Sequence, residues 1–184
     1  EPTVIVVVRQ QHPALPLLAA DESLAGLPLI VQAVEVLLQA DRVAMALKKA
    51  PSTVPALIRA YAEGEAPWCL LDTAHRHMES RWYAFEPESG ADYGSLDQLI
   101  VKAEQRYAEV GSELAKNFTR TFEKAKHPQK DILYQRNVFA TQVKPRLDNG
   151  KTAYVWVDAL RFEMAQELCH VLPDDFDLTL QPAL

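Results

Sequence analysis

A chain of 184 residues has room for one domain or one and a half, and 48% hydrophobic content is enough for a sizeable core. A charged fraction of 24% with net charge −6 is ordinary for a soluble protein and argues against a surface that is a nucleic-acid platform throughout, although a local basic patch stays compatible with it. The longest apolar run, residues 4–8, is far short of the ~20 residues a membrane helix needs, and Glu1-Pro2 is not the basic start of a signal peptide, so no membrane partner is expected and a cytoplasmic protein is the default.

In chain order, the β-branched run at residues 3–8 predicts a strand buried on both faces, as in a parallel sheet. A Pro-bearing segment (12–28) follows, then a mostly buried helix over 29–38 and a second helical stretch from Asp41 to near Ala50. Ser52 is placed to cap a helix over 54–63, with Pro55 in its first turn and Gly64 as its stop. Residues 68–85 read as helix and 87–94 as loop. Ser95 and Gln98 match a capping box. From there Leu96, Leu99, Ala103, Tyr107, Val110, Leu114, Phe118, Phe122 and Ala125 recur at steps of three and four, one apolar stripe on a helix of about 30 residues, or ~45 Å. His127-Pro128 should stop that helix. Residues 131–147 form a further helical pattern disturbed by Pro145, and Asn149-Gly150 is a turn. The chain then reads as strand (152–157), helix (160–171), turn at Pro173-Asp174 and strand (176–180).

The expected organisation is therefore a mostly helical region with one leading strand over 1–148, then a single β-α-β unit over 149–184 that opens an α/β domain. Two parallel strands do not make a stable sheet, so that domain is expected to continue beyond this chain, and the absence of an initiator Met suggests a chain that begins inside a longer protein.

Gly150-Lys151-Thr152 resembles the end of a phosphate loop, but the first glycine of that motif would fall at Pro145, and the stretch follows a helix and precedes a strand. Its amides would not form a nest at a helix N-terminus, so Lys151 reads as a solvated turn residue. Tyr154-Val155-Trp156-Val157-Asp158 fits a Walker B strand only weakly without such a loop. Asp158 has two other readings: a cap for the helix that follows, or a metal ligand at the carboxyl end of a parallel strand, where α/β folds place their sites.

Val157-Asp158-Ala159-Leu160-Arg161-Phe162-Glu163-Met164-Ala165, led in by Tyr154-Val155-Trp156, closely resembles the signature that opens the PglZ domain, a family of the alkaline-phosphatase superfamily found in BREX phage-defence systems of bacteria. The close match covers about twenty residues, and Pro145, Leu147, Gly150 and Lys151 are similar to the family's run-in. The resemblance implies an alkaline-phosphatase-like α/β catalytic domain, a metal-dependent phosphoesterase or nuclease, a divalent ion such as zinc or another transition metal, and other BREX proteins as partners. It makes Asp158 a metal ligand and Arg161 and Glu163 candidates for contacting phosphate or supporting that ligand; on residue chemistry alone, Glu163 complements the helix dipole and Arg161 forms an ion pair. The family also needs a Ser or Thr nucleophile on a later helix and further Asp and His ligands. The chain ends where that segment would begin, so catalysis is not expected from this stretch alone and no catalytic residue is assigned in it.

Beyond the motif, His75-x-His77-x-Glu79 is not a ready metal cluster. Residues i and i+2 point apart on a helix, and His75 with Glu79 gives only two ligands, so a solvated or interface face is the expectation. The other histidines, at 12, 127 and 170, read as surface or packing residues, and Cys69 and Cys169 as buried reduced thiols. Lys116, Arg120 and Lys124 step by four in the most basic stretch, which is either a solvated helix face or a contact to DNA or an acidic partner. A helical module that docks the enzyme into a defence complex, and a helical scaffold unrelated to phosphoesterases, are the alternatives to the catalytic reading.

Overall fold

Residues 27–47 carry no glycine and no proline beyond Pro28 in the first turn, so nothing interrupts helix propagation, and α1 runs unbroken over Leu27–Leu47. The two shorter helices expected here are one. Gln39, Ala40 and Val43 continue the buried stripe across the expected break, and Gln39 donates to Glu35 at 2.7 Å one turn back. The computed structural model describes residues 3–9, 26–86, 93–126, 129, 131–147, 153–155, 157–172 and 177–184. The turn at Asn149-Gly150, the Gly150-Lys151-Thr152 stretch, the stops at His127-Pro128 and Pro173-Asp174, His12 and Trp156 lie outside the described residues.

The chain divides into two compact units, residues 18–126 and residues 1–17 with 127–184. The first unit is helical: α1, α2 (Val54–Ala62), α3 (Cys69–Ala84) and α4 (Gly94–Lys124). α1 packs along both α3 and α4. Leu29, Ala33, Val36, Ala40 and Val43 of α1 meet Leu71, Ala74 and Met78 of α3 and Leu96, Ile100, Ala103 and Val110 of α4. Alanines at 33, 40, 74 and 103 let the helix surfaces approach closely, and the larger side chains fill the spaces between them. The long apolar stripe forms as the spacing predicts, with Leu99, Tyr107, Leu114 and Phe118 packed half-buried against the core.

The helix starts differ from the caps that the sequence predicts. Among α1, α2, α3, α4 and the later helix over Phe162–Val171 (α6), no N-cap side chain bonds the helix end. The cap of α2 is Thr53 rather than Ser52, and that of α4 is Tyr93, with Ser95 already inside the helix. Tyr93 packs edge-on against Phe85, centroids 5.1 Å apart, a contact of the same order as the ~1 kcal/mol a serine cap supplies. Gly64 does end α2, at a φ of 100° that favours glycine.

In the second unit, β1 (Thr3–Arg9) pairs with β2 (Asp177–Ala183) in antiparallel register, Thr3 opposite Ala183 and Arg9 opposite Asp177. The leading strand thus lies with the C-terminal residues, and the parallel pairing expected for it is corrected. A continuous apolar run signals burial, not the direction of its partner. α6 (Phe162–Val171) packs against both strands. The Leu184 amide donates to the Leu133 carbonyl and the Gln135 amide to the Leu184 carbonyl, extending the pair by one short bridge.

Residues 135–147 form one turn of 3-10 helix (Gln135–Asn137), a wide π-type turn (Phe139–Val143) and a short α5 (Lys144–Leu147). Pro145 has no amide to donate and its ring crowds the carbonyl four residues back, which accounts for the irregular turn just before it.

The strand expected over 152–157 is absent among the described residues there: 153–155 and 157 carry no strand pairing, and Tyr154, Val155 and Val157 are exposed. A strand needs a neighbour to take its backbone bonds, and the sheet among the described residues holds only β1 and β2. The described architecture is mainly helical. None of its helices is long and apolar enough to cross a membrane.

Candidate functional site

The motif around Asp158 occupies a turn and the helix it feeds. Asp158 and Ala159 form the turn, and Ala159 takes a φ of 56°, a left-handed conformation uncommon for a residue with a Cβ. Arg161 is the N-cap of α6, with extended backbone, and its carbonyl accepts the first intrahelical bond from Ala165 at 3.1 Å. Asp158 lies three residues before this cap and does not cap the helix, which corrects that reading. Its side chain and that of Arg161 are exposed, and among the described residues no hydrogen bond or ion pair joins them.

Glu163 faces the other way. It is 1% exposed, beside buried Phe162 and near buried Ala165, so the motif splits into an outward acid and base and an inward acid. A carboxylate in the first turn of a helix is favoured by the helix dipole, in keeping with the sequence expectation. Among the described residues Asp158 belongs to no cluster of three metal-ligating side chains.

Such a cluster does exist in the helical unit, at His75, Glu79 and Glu104. His75 Nε2 lies 3.0 Å from Glu104 Oε2, and His75 Nδ1 lies 3.5 Å from Glu79 Oε2. His75 and Glu79 share one face of α3 at i, i+4, whereas Glu104 comes from α4, 29 residues further on. The imidazole is stacked on Tyr107, whose hydroxyl donates to Asp72 Oδ1 at 2.8 Å; Tyr61 donates to the other oxygen of Asp72 at 2.7 Å. His77 stays outside the group, as the i, i+2 spacing requires. Burial and then the charges of Arg76 and Arg81 hold its pKa below the ordinary value. His170 is exposed at the end of α6.

Sequence reasoning finds two members of this group and misses Glu104. The only local sign is its position in α4 beside Ala103 and one turn before Tyr107, on the flank of the buried stripe. Nothing in a single sequence pairs it with His75.

Lys116, Arg120 and Lys124 are exposed along α4, with exposed Glu113 and Glu123 among them. Their spacing by four puts them on one helix face. Neither cysteine forms a disulfide; Cys69 is buried and Cys169 half-buried, and burial raises the pKa of the Cys169 thiol. Comparison with protein-family models, curated proteins and solved structures found no match to this chain.

Proposed function

We propose that this chain is a leading portion of a PglZ-like metal-dependent phosphoesterase or nuclease of bacterial phage defence, and that Asp158 is the first ligand of its metal centre. The observation that carries the reading is the division within the motif. Asp158 and Arg161 are presented to solvent on the turn entering α6, while Glu163 and Phe162 anchor that helix inside its unit. An exposed carboxylate on the turn entering a helix, three residues before an exposed arginine, suits a divalent ion and a phosphoryl group together: the carboxylate holds the metal, and the guanidinium and helix end favour the anion.

The α/β catalytic domain that this reading requires takes its remaining strands, its nucleophile and its other ligands from residues outside this stretch. Zinc or another transition metal is the expected ion, bound in the complete site. A two-metal centre needs several ligands, so one carboxylate alone does not turn over substrate. Assay of this chain with divalent metal on a phosphodiester tests that point: no turnover is expected, and turnover abolished by Asp158→Ala would show that the site is already complete here.

A second reading concerns the helical unit, as a module that docks the enzyme onto partner proteins of the defence system. α1 favours it. Opposite its buried stripe, Leu27, Val31, Val34 and Leu38 form a second, exposed apolar stripe ~17 Å long, with exposed Met45 two turns beyond Leu38. Replacing Leu38 and Met45 by Asp should abolish retention of the system's other proteins while leaving the fold intact; unchanged retention contradicts docking through α1.

A further inference from the structure

We propose that His75, Glu79 and Glu104 bind a divalent transition-metal ion, zinc foremost, that ties α3 to α4. The site is independent of the one proposed at Asp158.

The donor set is mixed, one imidazole and two carboxylates, and it spans two helices rather than lying along one charged face. Imidazole nitrogen selects first-row transition ions over magnesium and calcium, which take oxygen ligands. Two ligand atoms on one tetrahedral zinc sit about 3.3 Å apart, given metal–ligand bonds of roughly 2.0–2.2 Å. His75 Nε2 and Glu104 Oε2 are 3.0 Å apart, and one donor atom from each residue lies within 4.8 Å of the others. Glu79 Oε2 lies 3.5 Å from the other ring nitrogen, Nδ1, and its carboxylate swings towards Nε2 to close the set; its side chain is 42% exposed and has room to turn.

The base is held where the ion needs it. The His75 side chain is only 12% exposed and lies flat on Tyr107, which Asp72 fixes in turn. A half-buried, oriented imidazole with two carboxylates at the solvent edge gives an ion both an entry path and a fixed anchor. The two carboxylates and a neutral imidazole offset a double positive charge.

Three protein ligands leave a fourth position. Glu79 and Glu104 also line an open groove of about 510 Å³ between α3 and α4, together with Asp97, Trp82 and Tyr83, which gives an ion a route from solvent.

The test is Zn2+ titration of the purified chain, with Mg2+ as control, followed by calorimetry and thermal unfolding. The expected result is uptake of about one zinc per chain, a Tm that rises with zinc concentration, and no response to Mg2+. Glu79→Gln and Glu104→Gln alter exposed carboxylates with little change of shape, so they should fold; each should weaken uptake about tenfold or more. Asp158→Ala should leave it unchanged. Absence of uptake overturns the proposal, as does uptake that Glu79→Gln and Glu104→Gln leave intact. Uptake lost in Asp158→Ala but kept in Glu104→Gln moves the ion to the motif and equally overturns a site on α3 and α4.

Discussion

The imidazole of His75 lies flat against the phenol ring of Tyr107, centroids 3.7 Å apart and planes 8° apart. The stack sits at the head of a polar chain, because Tyr107 and Tyr61 both donate to Asp72. Asp72 therefore joins the α2–α3 side of the unit to α4. Removing it takes the Asp72 carboxylate away from both tyrosine hydroxyls. Asp72→Ala should cost about 2 kcal/mol, since hydrogen bonds to a charged group are worth roughly 1.5–3 kcal/mol. Tyr107→Phe should cost about 1 kcal/mol. Urea unfolding of the two variants and their double mutant checks this: coupling close to zero would mean that the tyrosine and the aspartate act separately.

Core and surface apolar residues of the helical unit should respond differently to truncation. Met78 is fully buried in the core shared with α1 and α4, and Met78→Ala should destabilise by about 2–5 kcal/mol through the packing removed and the cavity left behind. Leu38 is 61% exposed, and Leu38→Ala should change stability by no more than about 0.5 kcal/mol. Thermal or urea unfolding of both variants is the check; equal losses would show that the outer face of α1 is covered.

His77 gives the helical unit a defined pH response. Its pKa is lowered in the folded state, mainly by burial and further by Arg76 and Arg81, so the folded chain binds this proton less readily than the unfolded chain. Its contribution is fully present above the ordinary value of 6.5 and is lost as pH falls from there through the lowered folded value. His77→Gln should flatten the part of the stability profile that lies below the ordinary value of 6.5. A profile of unchanged slope would assign the acid sensitivity elsewhere.

The basic face of α4 is open to a direct test. Arg120→Glu with Lys124→Glu should reduce retention on DNA and lower the slope of log affinity against log salt by roughly two, close to one unit for each phosphate no longer neutralised. If retention and slope are unchanged, these residues form only a solvated face.

The helical unit is largely legible in the sequence because its signals are local. The α4 stripe from Leu96 to Phe118 repeats every three or four residues, and the structure packs it inward as that spacing requires. Gly64 and Pro55 likewise act within one turn of their own positions. What the sequence hides depends on distant partners. β1 is visible as a strand, yet its antiparallel mate, Asp177–Ala183, lies at the far end of the chain. Glu104 reaches His75 only because α3 and α4 pack side by side. At the motif, the apolar run before Asp158 has the composition of a strand, but pattern alone cannot supply the neighbour that a strand needs. The opposite facing of Asp158 and Glu163 is equally out of reach, because it depends on where α6 begins, at Phe162 rather than Leu160.

The role proposed for Asp158, as a ligand of a catalytic metal, has a direct test. The most direct measurement is metal-dependent phosphodiester turnover by the product of the whole reading frame, native against Asp158→Ala, with zinc or manganese supplied. The expected result is a drop of more than about a hundredfold in turnover together with reduced metal content, since even residues that only support a ligand cost roughly 10- to 100-fold. Turnover and metal content that survive Asp158→Ala in a folded protein would contradict it.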